Sequence, residues 1–311
     1  ALFDLADIWS VLKSHQIGDI CDFQTVLDAV ERVKPAVILH LAAQPLVLNG
    51  YADPAKTFLT NMQGTVHVLE AARRVSAVRG VVAITTDKVY APDLDTLPYR
   101  ETARLGGHDP YSASKAAAEC AIDAYRHSLP SWNRQLPIEV ARGGNIFGGG
   151  DFAPYRIIPD FVRSVKTGIP LILRKPDARR PWQHVLDLIE GYRLLVERVL
   201  NADPSSPGEA WNFGPAPQDA IPVIDLLNHL QRLWKPLPIQ IDRGPPETTH
   251  LAIDASKARE HLRWQPKLDL ETALSWTVDW YRTALNQPDQ IATLTQAQID
   301  SYEQRPKNQI R

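Results

Sequence analysis

Two rhythms of hydrophobic positions organise the first half of the chain. After Asp22, which reads as a helix cap, Phe23, Val26, Leu27, Val30 and Val33 fall on one helical face, and Pro35 ends the helix. Residues 36–43 form a near-continuous apolar run, the pattern of a strand buried on both faces of a parallel sheet. Asp53 and Pro54 supply a cap and a first-turn proline for a helix running to Arg74. A second buried strand follows at 81–85, then a helix from Pro110 through His127, then a third strand at 138–142. Strands alternating with long helices predict an α/β fold built on a doubly wound parallel sheet of Rossmann type.

Beyond Gly148-Gly149-Gly150, read as a hinge, the elements shorten and prolines multiply. Helices are predicted over 159–166, 187–200, 222–234, 256–262 and 270–285, with short strands at 171–173, 211–213 and 239–241. The expected organisation is a partial dinucleotide-binding domain over 1–150 and a small α+β substrate lobe over 151–285, with the chain able to cross between them. Residues 286–311 are polar and are expected to form a loosely attached tail.

Composition adds mainly exclusions. A chain of 311 residues with a net charge of −2 has ample core and no electrostatic reason to bind nucleic acid or an anionic membrane. Cys21 and Cys120 fit neither a metal spacing nor a disulfide framework, so no metal is expected and a reducing cytoplasm suits the chain. No apolar run reaches the length of a membrane span, and no signal peptide is evident at the start.

The candidate chemistry lies in two stretches, Thr86-Asp87-Lys88 and Tyr111-Ser112-Ala113-Ser114-Lys115. Tyr111 and Lys115 are four apart, so a helix starting at Pro110 puts both on one face. A lysine ammonium near a phenol favours phenolate, which would bring a group ionising near ~10 towards use as a base. A tyrosine and a lysine at this spacing are common on solvated helices, and the weight of the pair comes from its neighbours.

Those neighbours carry a family resemblance. Thr86-Asp87-Lys88, the Tyr111/Lys115 pair and the strand end Leu41-Ala42-Ala43-Gln44 resemble the extended short-chain dehydrogenase/reductase family, in its nucleotide-sugar branch. Within it, Gly106-Gly107-His108-Asp109-Pro110, Gly148-Gly149-Gly150-Asp151 and the run from Pro176 to Val185 resemble the CDP-glucose 4,6-dehydratases. The resemblance implies NAD as a recycled hydride carrier, CDP-glucose as substrate, and a homodimer or higher homo-oligomer. Tyr111 would be the base at the sugar C4 hydroxyl, with Thr86 sharing that hydrogen bond and Lys115 holding the cofactor ribose. Asp87 would be the acid for the departing C6 hydroxyl and Lys88 the base at C5, a role that requires a neutral amine.

On the cofactor side, the resemblance implies Asp19 and Ile20 beside the adenine, small Ala42 and Ala43 under the dinucleotide, and contacts from Gln44, Thr60 and Asn61. Asn145 and Arg180 would contact the sugar nucleotide, Arg180 neutralising its diphosphate. For Arg179 and His184 a structural role is the equal reading.

One departure is large: the glycine-rich β-α-β unit that opens the family is not found, and Gly18, Gly50 and Gly64 have the wrong spacing for it. On this basis the sheet is expected to be N-terminally truncated and NAD binding weak. Three alternatives stay open: another nucleotide-sugar dehydratase, a 4-epimerase, or a non-catalytic fragment that binds sugar nucleotide only. The helices at 54–74 and 111–127 are expected to pair across a two-fold axis.

Overall fold

The computed structural model describes residues 2–92, 98–203, 205–216, 220–242 and 251–306. A short helix, α1 (Leu2–Leu5), precedes α2 (Phe23–Val33), which Asp22 caps by accepting from the backbone N–H of Gln24 and Thr25. Strand β1 (Val37–His40) is followed by α3 (Val47–Ala52), α4 (Pro54–Phe58) and α5 (Gly64–Arg74). Then come β2 (Gly80–Ile84), α6 (Pro110–Ser128) and β3 (Ile138–Gly143).

The main sheet has the order β1-β2-β3-β8, with β8 spanning Ala210–Phe213, and every pairing in it is parallel. Its alternating side chains feed two cores. Val81 and Ala83 point with Val140 into a cluster made with α2, α5 and α6, centred on Leu69 and Ile122. Val82 and Ala141 point the other way, onto Leu188, Tyr192 and Leu195 of α8 (Val185–Asn201). Both faces are covered, so the strands read as continuous apolar runs. This is the Rossmann-like parallel sheet that the hydrophobic rhythm predicts.

The second half also contains β4 (Asn145–Phe147), α7 (Ile157–Thr167), β5 (Leu171–Leu173), β6 (Arg179–Arg180) and β7 (Trp182–His184). After β8 come β9 (Ile221–Pro222), α9 (Val223–Leu233), β10 (Ile239–Ile241), α10 (Ser256–Leu262), α11 (Leu270–Asn286) and α12 (Ile291–Gln304). Three two-stranded ladders, β4/β7, β5/β10 and β6/β9, accompany a third core built on Phe161, Leu227, Leu274 and Trp280. The glycine segment that leads there lies flat on this core: a Cβ on Gly149 would sit 2.2 Å from the Trp280 ring. The chain then crosses back: β8 pairs with β3 of the main sheet and α8 packs on its face.

Two expectations are corrected. The helix predicted over 54–74 is interrupted by a π turn, Leu59–Gln63, between α4 and α5. Asn61 in that turn is buried, its side-chain amide donating to Gln44 O and Ser114 Oγ. The polar stretch from Asn286 is no loose tail over its described residues. It forms α12, whose Ile291 and Tyr302 are buried, and the Tyr302 hydroxyl donates to Asp187 Oδ1 at 2.9 Å. Residues 307–311 lie outside the described residues.

Candidate active site

Two caps bring the candidate residues to the carboxyl ends of the strands. After β2, the Thr86 hydroxyl accepts from the Lys88 backbone N–H at 3.3 Å and caps a 3-10 turn, Asp87–Val89. Val89 and Tyr90 anchor that turn in a small core, which leaves Asp87 folded inward and only 2 % exposed. At α6, Asp109 accepts from the Ser112 N–H at 3.0 Å, and Pro110 occupies the first turn, where its missing N–H costs nothing. Tyr111 and Lys115 therefore emerge one turn apart beside the Asp87 turn.

A cleft of about 880 Å³ opens there. Ala43, Thr86, Asp87, Lys88, Tyr111, Lys115, Asn145 and Arg180 all line it. These residues come from β1, β2, α6, β4 and β6 or the loops that follow them, so the sequence motifs converge from both halves of the chain.

The electrostatics of the cleft are set by burial. Asp87 is pushed up to about 6 by desolvation, against the pull of Lys88, Thr86 and Arg180. Its Oδ1 accepts from the Thr86 hydroxyl at 3.1 Å, while Oδ2 is buried without a hydrogen-bond partner among the described residues. A carboxyl in that state keeps its proton to a higher pH than a free one. Lys115 is drawn down to about 8 by burial, partly offset by Glu119. Its Nζ donates to Ile84 O at 3.1 Å.

For Tyr111 the structure reverses an expectation. Burial pushes the phenol up to about 12; the Thr86 hydroxyl works downwards and the Asp87 charge upwards. Lys115 spends its charge towards the end of β2 instead of relieving the phenol. Desolvation wins over the expected ammonium effect.

The candidate cofactor residues divide. Ala43 and Lys115 reach the cleft, whereas Asp19, Ile20, Ala42, Gln44 and Thr60 are not among its lining. Gln44 is spent on its own loop, donating to Thr57 Oγ1 at 2.9 Å and accepting from Leu46 N–H at 2.7 Å. Asn61 is likewise consumed by Gln44 and Ser114. Asp19, Ile20 and Thr60 gather elsewhere, where residues 19–21 pack on the π turn. There Cys21 Sγ lies 3.7 Å from Thr60 Oγ1, Asp19 Oδ1 accepts from Cys21 N–H, and the Ile20 side chain fills the space beside Gly64.

Sequence reasoning missed further cations lining the cleft, Arg156, Arg163, Arg174 and Lys175, and the aromatic residues Tyr155 and Tyr281. Arg174-Lys175 leading to Arg179-Arg180 was the available signal, a basic cluster in a proline-rich run. Of the two residues read as equally structural, His184 is buried with its Nδ1 capping α8, and Arg179 donates to Ala220 O at 2.9 Å.

A covered parallel sheet with a Tyr111/Lys115 helix at its carboxyl edge defines a protein of the short-chain dehydrogenase/reductase type. The family model described as GDP-mannose 4,6 dehydratase matches residues 10–277, and the chain belongs to that family. It is 37 % identical over 298 residues to CDP-glucose 4,6-dehydratase of Salmonella typhimurium, across 94 % of this chain and 82 % of that one. Among solved structures it is similar to a Thermus thermophilus UDP-glucose 4-epimerase in complex with NAD, with a TM-score of 0.75 and 25 % identity, covering 86 % of this chain and 84 % of the other. A Bacillus anthracis dTDP-glucose 4,6-dehydratase in complex with NAD gives a TM-score of 0.69 at 26 % identity, covering 87 % and 79 %.

Proposed function

We propose that the chain is a nucleotide-sugar 4,6-dehydratase that uses NAD and acts on CDP-glucose, releasing the 4-keto-6-deoxy sugar nucleotide. The observation that carries the reading is the buried Asp87 carboxyl, one oxygen unpartnered, beside Lys88 and Tyr111 in one cleft. An oxidation alone needs one base; a buried acid alongside it points to loss of water as well.

The site has a group suited to the cofactor. Lys115 is buried in the cleft wall with Ile84 O as its one hydrogen-bond acceptor among the described residues, so N–H groups remain for a ribose. Ala43 presents no bulk at the end of β1. When bound, NAD supplies the hydride acceptor at C4 and returns the same hydride at C6.

The chain's own residues then handle protons. Tyr111 takes the proton of the C4 hydroxyl, with the Thr86 hydroxyl beside it to share the oxygen's hydrogen bond. Once C4 is a ketone, the C5 hydrogen is acidic and Lys88 removes it. Asp87 gives its proton to the C6 oxygen, which leaves as water. Asn145 and Arg180 hold the sugar nucleotide, Arg180 countering diphosphate charge.

The proposal is tested by incubating the protein with NAD and, in turn, CDP-glucose, dTDP-glucose and GDP-mannose. Mass spectrometry is expected to show loss of one water from CDP-glucose at the highest kcat/KM. Faster turnover of either other nucleotide would overturn the CDP assignment. For the C5 step, Lys88→Met is expected to slow exchange of the C5 hydrogen with deuterated water at least about a hundredfold, the scale of a lost general base. Unchanged exchange would remove Lys88 from that role.

Assembly as a homodimer is proposed through the α4–α5 and α6 helices. Between α4 and α5, Leu59 of the π turn is 48 % exposed, a large apolar side chain, while Leu69, Ala71 and Ala72 of α5 pack into the core. Leu59→Glu is expected to shift the sedimentation of the protein towards monomer at tens of micromolar; the same value for both proteins would count against this interface. The free Cys21 and Cys120 suit the cytoplasm, the proposed location.

A further inference from the structure

Helix α6 carries a third polar residue in the same row. Glu119 follows Lys115 by four positions, so it shares the face that presents Tyr111 and Lys115, and it is 5 % exposed. Its Oε1 accepts from the Thr85 hydroxyl at 2.6 Å. Both its oxygens accept from Arg142 Nε at 3.0 Å, and Arg142 Nη2 also donates to it. Arg142 Nη1 reaches on to Tyr90 Oη at 2.9 Å and Glu101 O at 3.0 Å. The Tyr90 hydroxyl then donates to Asn212 Oδ1 at 2.6 Å.

Thr85 and Tyr90 bracket the turn that carries Asp87 and Lys88. One carboxylate thus grips the turn at its start directly and at its end through Arg142, while sitting on the helix that carries Tyr111 and Lys115. We propose that Glu119 is a positioning residue of the active site, fixing the Thr85–Tyr90 turn against α6 and acting on Lys115 one turn before it. The proposal rests on the reading of Asp87, Tyr111 and Lys115 given above, but its test needs no turnover.

The electrostatic part follows from what surrounds Lys115. His40 interacts with it from β1 and Glu119 from its own helix, while Asp87, Lys88 and Tyr111 share the cleft wall with it. Burial holds His40 down to about 4, so it is neutral. Arg142 is engaged by Glu119. Glu119 is the group whose charge works to hold the proton on Lys115 against burial. A purely structural pair would not need this: buried ion pairs are often replaced by apolar residues without loss of stability.

The experiment measures Lys115 itself in cofactor-free protein. A small acylating reagent is applied across a pH series, and modification of the Lys115 peptide is read by mass spectrometry. The wild-type midpoint is expected at about 8. Glu119→Gln keeps the size and the acceptor for Thr85 but removes the charge, and should lower the midpoint by about one unit, a tenfold loss of proton affinity. Because that variant strands Arg142, Glu119→Gln combined with Arg142→Met removes both charges and should give the same shift. Glu119→Asp keeps the charge and should leave the midpoint in place. An unmoved midpoint in a folded uncharged variant, or an equal shift in Glu119→Asp, would overturn the proposal. Failure of CDP-glucose turnover in the wild type would instead strike the functional reading and leave these midpoints interpretable.

Discussion

Asp87→Asn is expected to stop the loss of water without slowing oxidation at C4. Asparagine has the size of aspartate and still offers Thr86 an acceptor, but it has no carboxylic proton to give to a departing hydroxyl. Loss of a general acid costs about a hundred- to ten-thousand-fold, so dehydrated product should fall by that much. Rapid quench with CDP-glucose and NAD should then show the 4-keto-glucose nucleotide building up with its water retained. The wild-type elimination step should decline as pH rises through about 6, where Asp87 gives up its proton, and the variant should lack that limb.

Stability gives a control with a defined sign. The folded pKa of Asp87 is raised from 3.8 to about 6, so its ionisation favours the unfolded chain. The penalty is absent below 3.8 and complete above about 6, where two units correspond to about 3 kcal/mol. Asp87→Asn should therefore melt at a higher temperature than wild type at pH 8 and at a similar one at pH 4. A variant that lost product and also melted earlier at pH 8 would show that Asp87 is structural.

Much of this was legible in the sequence, and the reasons are particular. The caps Asp22 and Asp53 were readable because short-range backbone chemistry fixes them, and both accept the N–H bonds expected. The strands were readable because a sheet covered on both faces leaves no polar alternation. Convergence of Thr86, Asp87, Lys88, Tyr111, Lys115, Asn145 and Arg180 was legible through motifs, and the cleft brings all seven together.

What escaped depends on tertiary surroundings. Ile291 and Tyr302 hold α12 in place, but two anchors among polar residues leave no pattern. Ladder β4/β7 joins strands of three residues from distant parts of the chain, too short for a period to register. The direction of the Tyr111 shift was misread for the same reason. Spacing shows that a lysine lies one turn away, whereas the cost of burying a phenolate depends on what the whole fold places around it.

That shift shapes the second large effect. Tyr111→Phe is expected to remove both the 4-keto intermediate and the dehydrated product, since without the phenol oxygen nothing accepts the C4 hydroxyl proton. In the free protein the phenol sits at about 12, so only a trace is ionised at neutral pH. The wild-type rate of C4 oxidation, followed at low conversion, should therefore rise about tenfold per pH unit from about pH 6 to about pH 9. Elimination falls over the same range, so the two steps carry opposite slopes. The Asp87 charge is one of the forces raising the phenol. Asp87→Asn should then make C4 oxidation faster than wild type at pH 7 while product is lost, the reverse of what general damage to the cleft would do. If Asp87→Asn lost C4 oxidation as completely as Tyr111→Phe, the two residues could not serve separate steps, and the assignment of Asp87 to elimination would fall.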